Sequence, residues 1–373
     1  MADKLFVAIA AGGTAGHINP ALALAEKLKQ RGHRVVFVGQ PTRLEAKLVP
    51  EAGFDFIPIR VSGFVRTRPW TLLSALWHIQ RARCVLDTQF KHTAPDVCVG
   101  FGAYIELALV SWCKKHDVPL VLHEQNSIPG LANKISARVA KSLCVGMPCA
   151  LDAFKDKIGS DTQVIVTGNP VRSSILTADK EHARITHHIP QDAVLLVVFG
   201  GSLGAQHIND CMIARKKELL SRPNLYIIHS SGKADFDRTS QALALTEEEK
   251  KRWQLMPYIN DMGEVLAAAD FCVSRAGASS VAEIAALACP SILVPYPHAT
   301  ADHQRANASL LVDAHAAILC DDSDLDSTFF SDRLFELCDN ASLRQELAAA
   351  AQGLGQAKAA DKLAEQVIRA ASS

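Results

Sequence analysis

The chain of 373 residues carries no net charge, because 39 Lys and Arg balance 39 Asp and Glu. No global basic excess exists to hold a nucleic acid through its phosphates, so any polyanion site must be local. There is no CxxC pair either: the ten cysteines are scattered from Cys84 to Cys338, and even the nearest two, Cys144 and Cys149, miss the short zinc or redox spacing. They read as buried free thiols in a reducing compartment. No uninterrupted apolar stretch of about 18 residues occurs, since Glu106, Glu283 and Pro290 break the richest segments, and nothing is expected to span a bilayer. Leu5–Ala11 imitates a signal peptide, but Gly12-Gly13-Thr14 and a helical pattern follow it, so it reads as a first buried strand. Two nucleotide loops are missing as well. After Gly100 and Gly102, Ile105 stands where GxGxxG needs its third glycine, and no GxxxxGK[ST] loop is present, which disfavours a dehydrogenase or an ATPase.

What remains is an ordinary globular composition, 49% hydrophobic and 21% charged, long enough for about two domains. Apolar runs at Leu5–Ala10, Val35–Val38, Val97–Val99, Leu120–Leu122, Val194–Phe199, Tyr226–Ile228, Phe271–Val273 and Ile292–Val294 alternate with helix-length segments. Such short Val- and Ile-rich runs indicate parallel sheets of βαβ units, an α/β architecture. An internal echo, GGTAGHIN from Gly12 and GGSLGAQHIN from Gly200, each after a strand, suggests two Rossmann-like halves. The polar stretch Asp179–Asp192 suits a junction. We therefore expect domains at 1–172 and 173–355, and a final segment, 356–373, whose helix (roughly Lys358–Ala371) packs back on the first domain.

Each glycine loop follows a strand and opens a helix, the arrangement that turns backbone N–H groups and a positive helix end toward phosphate. Gly12-Gly13-Thr14-Ala15-Gly16-His17, Gly100-Phe101-Gly102-Ala103-Tyr104 and Gly200-Gly201-Ser202-Leu203-Gly204 share it. Several such loops together favour a diphosphate, and hence nucleotide-sugar chemistry, over mere tight turns. Arg275–Ile284 opens another helix after a strand. There Glu283 lies three residues beyond Ser280, a spacing that suits a capping box and equally a carboxylate accepting from both hydroxyls of a ribose. Gln304 suits either sugar hydroxyls or plain surface polarity. The run Asp321–Asp326 has the DxD spacing of metal-dependent transferases, but no glycine loop surrounds it, and it reads as a solvated loop.

Together the motifs GGTAGHINPALA, HEQNSIPGLANK, GNPVR, FGGSLGAQ, RAGASSVAEI and PYPHATADHQRANA, in order from about Leu5 to Ala308, resemble the MurG family of peptidoglycan N-acetylglucosaminyltransferases. The resemblance implies a GT-B fold, two Rossmann-like domains facing a cleft, and an inverting transfer of N-acetylglucosamine from UDP to undecaprenyl-diphosphate-linked N-acetylmuramyl pentapeptide (lipid I), giving lipid II. It implies that Thr14, Ala15, Gly16, Asn126, Arg172, Ser202, Ile259, Ala278, Ser279, Ser280, Val281, Ala282, Glu283 and Gln304 bind UDP-N-acetylglucosamine, with uracil near Ile259 and ribose on Glu283. Gly12, Gly13, Gly102, Ala103 and Tyr104 would face the acceptor diphosphate. Ala15 and Ala103 stand where the family usually has glycine, so a positive φ at either would cost energy.

The chemistry needs a base for the attacking muramyl hydroxyl. His17, at a loop-to-helix junction, is the candidate, with Asp96 and Glu124 as alternatives, and a half-exposed helix-start histidine is the plain reading. Departing charge can be met by Ser202, backbone N–H groups and a helix end, so no metal or other cofactor is expected. A lipid-linked acceptor also calls for a peripheral, cytoplasmic-face site on the bacterial inner membrane. After Pro69, Trp70, Leu73, Leu76 and Trp77 share one helical face flanked by Arg66, Arg68, Arg81 and Arg83, which fits an anionic membrane surface or an ordinary core helix. Roles in cell-wall synthesis, cell shape and cell division follow from the resemblance. A UDP-N-acetylglucosamine 2-epimerase, another GT-B sugar transferase and a noncatalytic nucleotide-sugar binding protein remain alternatives.

Overall fold

The computed structural model describes residues 4–63, 70–201 and 205–372. The chain divides into two compact units, Met1–Arg172 with Lys358–Ser373, and Ser173–Ala357.

The first unit is built on seven strands, β1 (Phe6–Ala10), β2 (Arg34–Gly39), β3 (Asp55–Pro58), β4 (Val97–Gly100), β5 (Leu120–Glu124), β6 (Ser142–Val145) and β7 (Gln163–Val166), all parallel in the order β3-β2-β1-β4-β5-β6-β7. Because side chains alternate along a strand, Phe6, Ala8 and Ala10 pack into one core with the helices Thr71–Gln89 and Ala103–His116. Val7 and Ile9 enter the opposite core, under the helices Ala15–Gln30 and Ala359–Ala371. Leu363, Ala364, Val367 and Ala370 give the chain's last helix its buried face in that second core. Asp361 pairs with Lys27 at 3.3 Å and Arg31 at 2.9 Å on the Ala15–Gln30 helix.

The second unit holds β8 (Val194–Phe199), β9 (Leu225–Ser230), β10 (Trp253–Met256), β11 (Phe271–Ser274), β12 (Ser291–Leu293) and β13 (Ala317–Leu319), parallel in the order β10-β9-β8-β11-β12-β13. In both sheets the strand order reverses once, between β1 and β4 and between β8 and β11. Loops leaving the carboxyl ends of strands on either side of such a reversal diverge and leave a crevice where ligands bind. The glycine loops after β1, β4 and β8, and the Arg275 turn after β11, stand at these two points.

Three expectations change at this level. The ten thiols are all free, but Cys84 and Cys149 are exposed, not buried. The Asp321–Asp326 run is no solvated loop: it folds into a short 3-10 turn whose Asp322 bonds the buried Arg275 at 2.5 Å and His207 at 2.8 Å. The Trp70 helix is not a core helix along its aromatic face either. Trp70, Leu73, Leu76 and Trp77 are 68%, 74%, 53% and 56% exposed, whereas Ala75, Ala82 and Leu86 make the buried stripe. Arg81 lies over the Trp77 ring at 5.3 Å, and Arg83 turns away to Ser111; Arg66, Arg68 and Pro69 lie outside the described residues. No helix among the described residues is long and apolar enough to cross a membrane.

Candidate functional site

At the first reversal, the turn after β1 is shaped from below by a buried carboxylate. Glu45 accepts the Gly13 N–H at 3.1 Å and the Gln40 N–H at 3.1 Å. A Cβ on Gly12 would fall 2.4 Å from Glu45 Oε1, so a larger residue there would have to displace the carboxylate that holds the turn. Gly13 takes φ +88°, which glycine alone adopts without penalty. Thr14 then stands as the N-cap of the Ala15–Gln30 helix, exposed, with Ala15, Gly16 and His17 half-buried behind it in the first turn. Thr14 Oγ1 and His17 Nδ1 share a 3.2 Å hydrogen bond.

The neighbouring turn after β4 meets that histidine. A Cβ on Gly102 would stand 3.5 Å from both His17 Nε2 and Asn133 Nδ2, so the Gly12–His17 and Gly100–Tyr104 segments adjoin, as the candidate site requires. Gly102 has φ +83° and Ala103, the first helical residue, φ +64°; the alanine here does sit in the left-handed region. Ala15 does not. Tyr104 is exposed beside them. Under the turn, the fully buried Glu106 accepts the Gly102 N–H at 2.6 Å. Burial raises its carboxyl to about 7, against the opposing pull of Ser136 and Gly102 and with added repulsion from Glu124.

The HEQNS segment leaves β5 beside these turns. Glu124 is spent on structure: Oε1 accepts from Asn126 N at 2.9 Å and Nδ2 at 3.2 Å, and Oε2 from Gly130 N at 3.0 Å and Asn133 Nδ2 at 2.9 Å. That removes it as a base and makes it the group that orients Asn126. His123, buried and bonded to the Gly168 carbonyl at 3.0 Å, is pushed down to about 4 by burial and stays neutral. Asp96 fails for a different reason, because it takes the Phe6 N–H at 2.6 Å at the start of β1, the opposite end of the sheet. Arg172 reaches Glu26 at 3.4 Å on the Ala15–Gln30 helix.

In the second unit Ser202 lies outside the described residues. The Ala278–Ala286 helix begins after Gly277 as N-cap, so Ser280 and Glu283 are both inside it and the capping-box spacing is not used. Ala278 and Val281 are buried in its first turns, Ser279, Ser280 and Ala282 are half-buried, and Glu283 is buried one turn past Ser279 and Ser280 on their face of the helix. Ile259 is buried after the half-buried Tyr258. Gln304 is not a bare surface residue: its Oε1 accepts the Tyr296 N–H at 2.9 Å and ties the Pro295–His298 segment to the helix His303–Val312.

Sequence reasoning missed the groups that hold these turns. Arg275 is buried with Nη1 toward the Val294 and Pro295 carbonyls, at 3.4 and 3.2 Å, and the Asp322 carboxylate, with its guanidinium over the Tyr296 ring. It joins the ends of β11 and β12 to the turn after β13. Asn209 links the buried His229, at 2.9 Å, to Asp235, at 2.6 Å. Glu106 did leave a signal, a lone carboxylate in the apolar stretch Ala103–Trp112; Glu45, in the polar Thr42–Lys47 segment, left none.

Two trios, His207, Cys211 and Asp326, and His187, Asp261 and Glu264, bring possible metal ligands together among the described residues. In the first, His207 is already held between Asp322 and Asp326 and Cys211 points to the Leu325 carbonyl. Neither trio includes a residue of the four turns.

The Glycosyltransferase family 28 N-terminal domain matches residues 7–145 and the Glycosyltransferase family 28 C-terminal domain residues 195–367. A UDP-N-acetylglucosamine--N-acetylmuramyl-(pentapeptide) pyrophosphoryl-undecaprenol N-acetylglucosamine transferase of Halothermothrix orenii is 35% identical over 92% of this chain and 93% of its own length. The crystal structure of Acinetobacter baumannii MurG superposes with a TM-score of 0.72 at 26% identity, over 98% of this chain and 100% of that one. A UDP-GlcNAc 2-epimerase from Neisseria meningitidis reaches a TM-score of 0.69, over 98% of this chain and 100% of that one, at 12% identity, a likeness of fold alone. With a parallel Rossmann-like sheet in each unit, as in GT-B transferases, and nearly full-length kinship to the transferases, the chain belongs to the MurG family of glycosyltransferases.

Proposed function

We infer that this chain is a hexosyltransferase that moves N-acetylglucosamine from UDP-N-acetylglucosamine to lipid I, forming lipid II as a peptidoglycan precursor. The observation that carries it is the kinship over more than nine-tenths of the chain with transferases of that name. The turns at the two strand-order reversals support it, since each lies between a strand end and a helix start, a place suited to an anion.

In this reading the donor is bound by the second unit through Ile259, the helix start Ala278–Glu283, Gln304 and Ser202, with Glu283 on the ribose. Thr14, Ala15, Gly16, Asn126 and Arg172, on the first unit, are the other residues that the resemblance assigns to the donor. Gly12, Gly13, Gly102, Ala103 and Tyr104 take the acceptor diphosphate. His17 removes the proton from the muramyl hydroxyl as its oxygen attacks the anomeric carbon from the face opposite UDP. The new C–O bond forms, the bond to the UDP oxygen breaks, and the configuration inverts. Its bond to Thr14 fixes the ring, and its Nε2 edge lies toward Gly102. Charge developing on UDP falls at a helix N-terminus among backbone N–H groups, which can stabilise it without a metal.

The exposed Trp70, Leu73, Leu76 and Trp77, with Arg81 beside them, would seat the protein on the cytoplasmic face of the inner membrane, where the acceptor's lipid resides. A role in cell shape and division follows from the product. The test is UDP release from UDP-N-acetylglucosamine with and without lipid I. Release that depends on lipid I, with lipid II as product, is expected; epimer formation or hydrolysis without lipid would overturn the reading.

A further inference from the structure

The turn assigned to the acceptor diphosphate already contains a carboxyl of its own. Glu106 sits on the first turn of the Ala103–His116 helix, wholly buried, and bonds the N–H of its own N-cap, Gly102. A Cβ on Gly100 would meet Glu106 Oε2 at 2.6 Å, so the carboxyl fills the space directly beneath Gly100–Gly102. The carboxyl is wholly enclosed, and the bonds offered by Ser136 and Gly102 do not offset its burial, a setting that penalises the charged form. A helix N-terminus stabilises one nearby anion well. When Glu106 is ionised, that place is taken from inside.

We propose that Glu106 is a positioning residue that couples acceptor binding to protonation: the Gly102–Ala103–Tyr104 turn grips the acceptor diphosphate when Glu106 is neutral and releases it as Glu106 ionises. The inference rests on the assignment of this turn to the acceptor. A carboxylate below and a diphosphate above would be like charges across a thin, poorly screened turn, and such pairs disfavour each other. Burial has already brought the carboxyl to about 7, so the choice between the two forms is made near neutrality. By linkage the effect is reciprocal, and binding of the diphosphate draws a proton onto Glu106.

The other ionisable groups around the turn are Glu124 and His123 from β5, His17 from the helix after β1, and Tyr104 on the same helix. Glu124 is fixed by four hydrogen bonds and His123 is held neutral by burial. Whatever His17 and Tyr104 contribute is common to the wild type and a Glu106 variant. A diphosphate diester has no proton that titrates near neutrality, so the acceptor adds no pH dependence of its own.

The experiment measures the acceptor KM, with a detergent-soluble short-chain lipid I analogue, from pH 6 to pH 8 for the wild type and Glu106→Gln, which keeps the shape and removes the charge. If only the neutral form binds, the wild-type KM rises about tenfold over that range, because the competent fraction falls from about nine-tenths to about one-tenth around a value of about 7. Glu106→Gln should give a flat profile at the low-pH level, with the KM for UDP-N-acetylglucosamine following neither trend. The same tenfold rise in the variant would overturn the proposal. A second measurement needs no variant: calorimetric titration of the wild type with the analogue at pH 7, in buffers of different ionisation enthalpy, should show uptake of about half a proton. No uptake on binding overturns the coupling. Absence of transfer by the wild type at every pH would instead overturn the lipid II reading on which the coupling rests.

Discussion

Ala103 and Ala15 are each the first residue of a helix that follows a glycine turn, yet they differ in backbone. Ala103 has φ +64° and Ala15 stays out of the left-handed region. A side-chain-bearing residue held there costs about 1–2 kcal/mol. Replacing either alanine with glycine also frees the unfolded chain, a loss of about 0.5–1 kcal/mol that is nearly the same for both. The difference between the two variants therefore isolates the strain. Ala15→Gly should destabilise by about 0.5–1 kcal/mol, whereas Ala103→Gly should be neutral to stabilising, leaving a gap of about 1–2 kcal/mol. Urea unfolding followed by fluorescence reads it directly. In a thermal melt each kcal/mol corresponds to about 2–4 °C for a unit of this size. Equal losses in the two variants would show that Ala103 is unstrained and that its turn is held differently from the geometry described above.

His17→Ala should lower turnover by about 10²- to 10⁴-fold with UDP binding little changed; unaltered turnover where chemistry is rate-limiting removes it as the base. Glu283→Gln, at a position inside its helix and not at the cap, should weaken UDP binding by more than it lowers folding stability, and a lowered midpoint with full UDP affinity would return it to a structural role. Asp322→Ala strips a carboxylate from the buried Arg275 and should cost on the order of 2 kcal/mol. Burial pushes the Asp322 carboxyl up, but the bonds from His207 and Arg275 outweigh it and hold it below the usual range, while Asp322 and then Asp326 raise His207. The Asp322 contribution is lost as pH falls through its lowered value, and the His207 contribution is lost as pH rises through its raised one. The stability gap should accordingly be widest at about pH 5–6, and a gap that keeps growing above pH 8 contradicts the pairing. Serine at Trp70, Leu73, Leu76 and Trp77 should abolish most vesicle binding and leave UDP affinity intact, since these side chains are exposed; unchanged vesicle binding removes this face as the membrane contact.

The eight apolar runs visible in the sequence are all interior strands, β1, β2, β4, β5, β8, β9, β11 and β12. Strands flanked on both sides and covered on both faces must be apolar throughout, and that makes them legible. The four edge strands, β3, β7, β10 and β13, are less enclosed: Asp55–Pro58 and Gln163–Val166 have no fully buried residue at all, although Val164-Ile165-Val166 is itself apolar. The interior β6 escaped too, its four residues diluted by Ser142 at the start. The glycine turns were legible because Gly13, Gly102 and Gly201 take positive φ, which other residues adopt only at a cost. Their supports were not, since Glu45 approaches Gly13 from 32 residues away and Asp322 approaches His207 from 115. Such pairings are set by strand order, which local pattern does not encode.

That limit bears on how the two halves came to differ. GGTAGHIN and GGSLGAQHIN place a histidine at the start of equivalent helices, His17 and His207, and nothing in the repeat says which one does chemistry. Their neighbours differ. His207 has both ring nitrogens committed to carboxylates, Asp322 at 2.8 Å and Asp326 at 3.1 Å, an arrangement that favours a charged, immobilised ring and leaves no nitrogen to accept a substrate proton. His17 meets a neutral hydroxyl, Thr14, on Nδ1, and its Nε2 edge lies toward the Gly102 turn, the setting in which an imidazole can take a proton and pass it on. The same local motif thus yields a structural clamp in one unit and the candidate base in the other, and the difference resides in residues far from either motif.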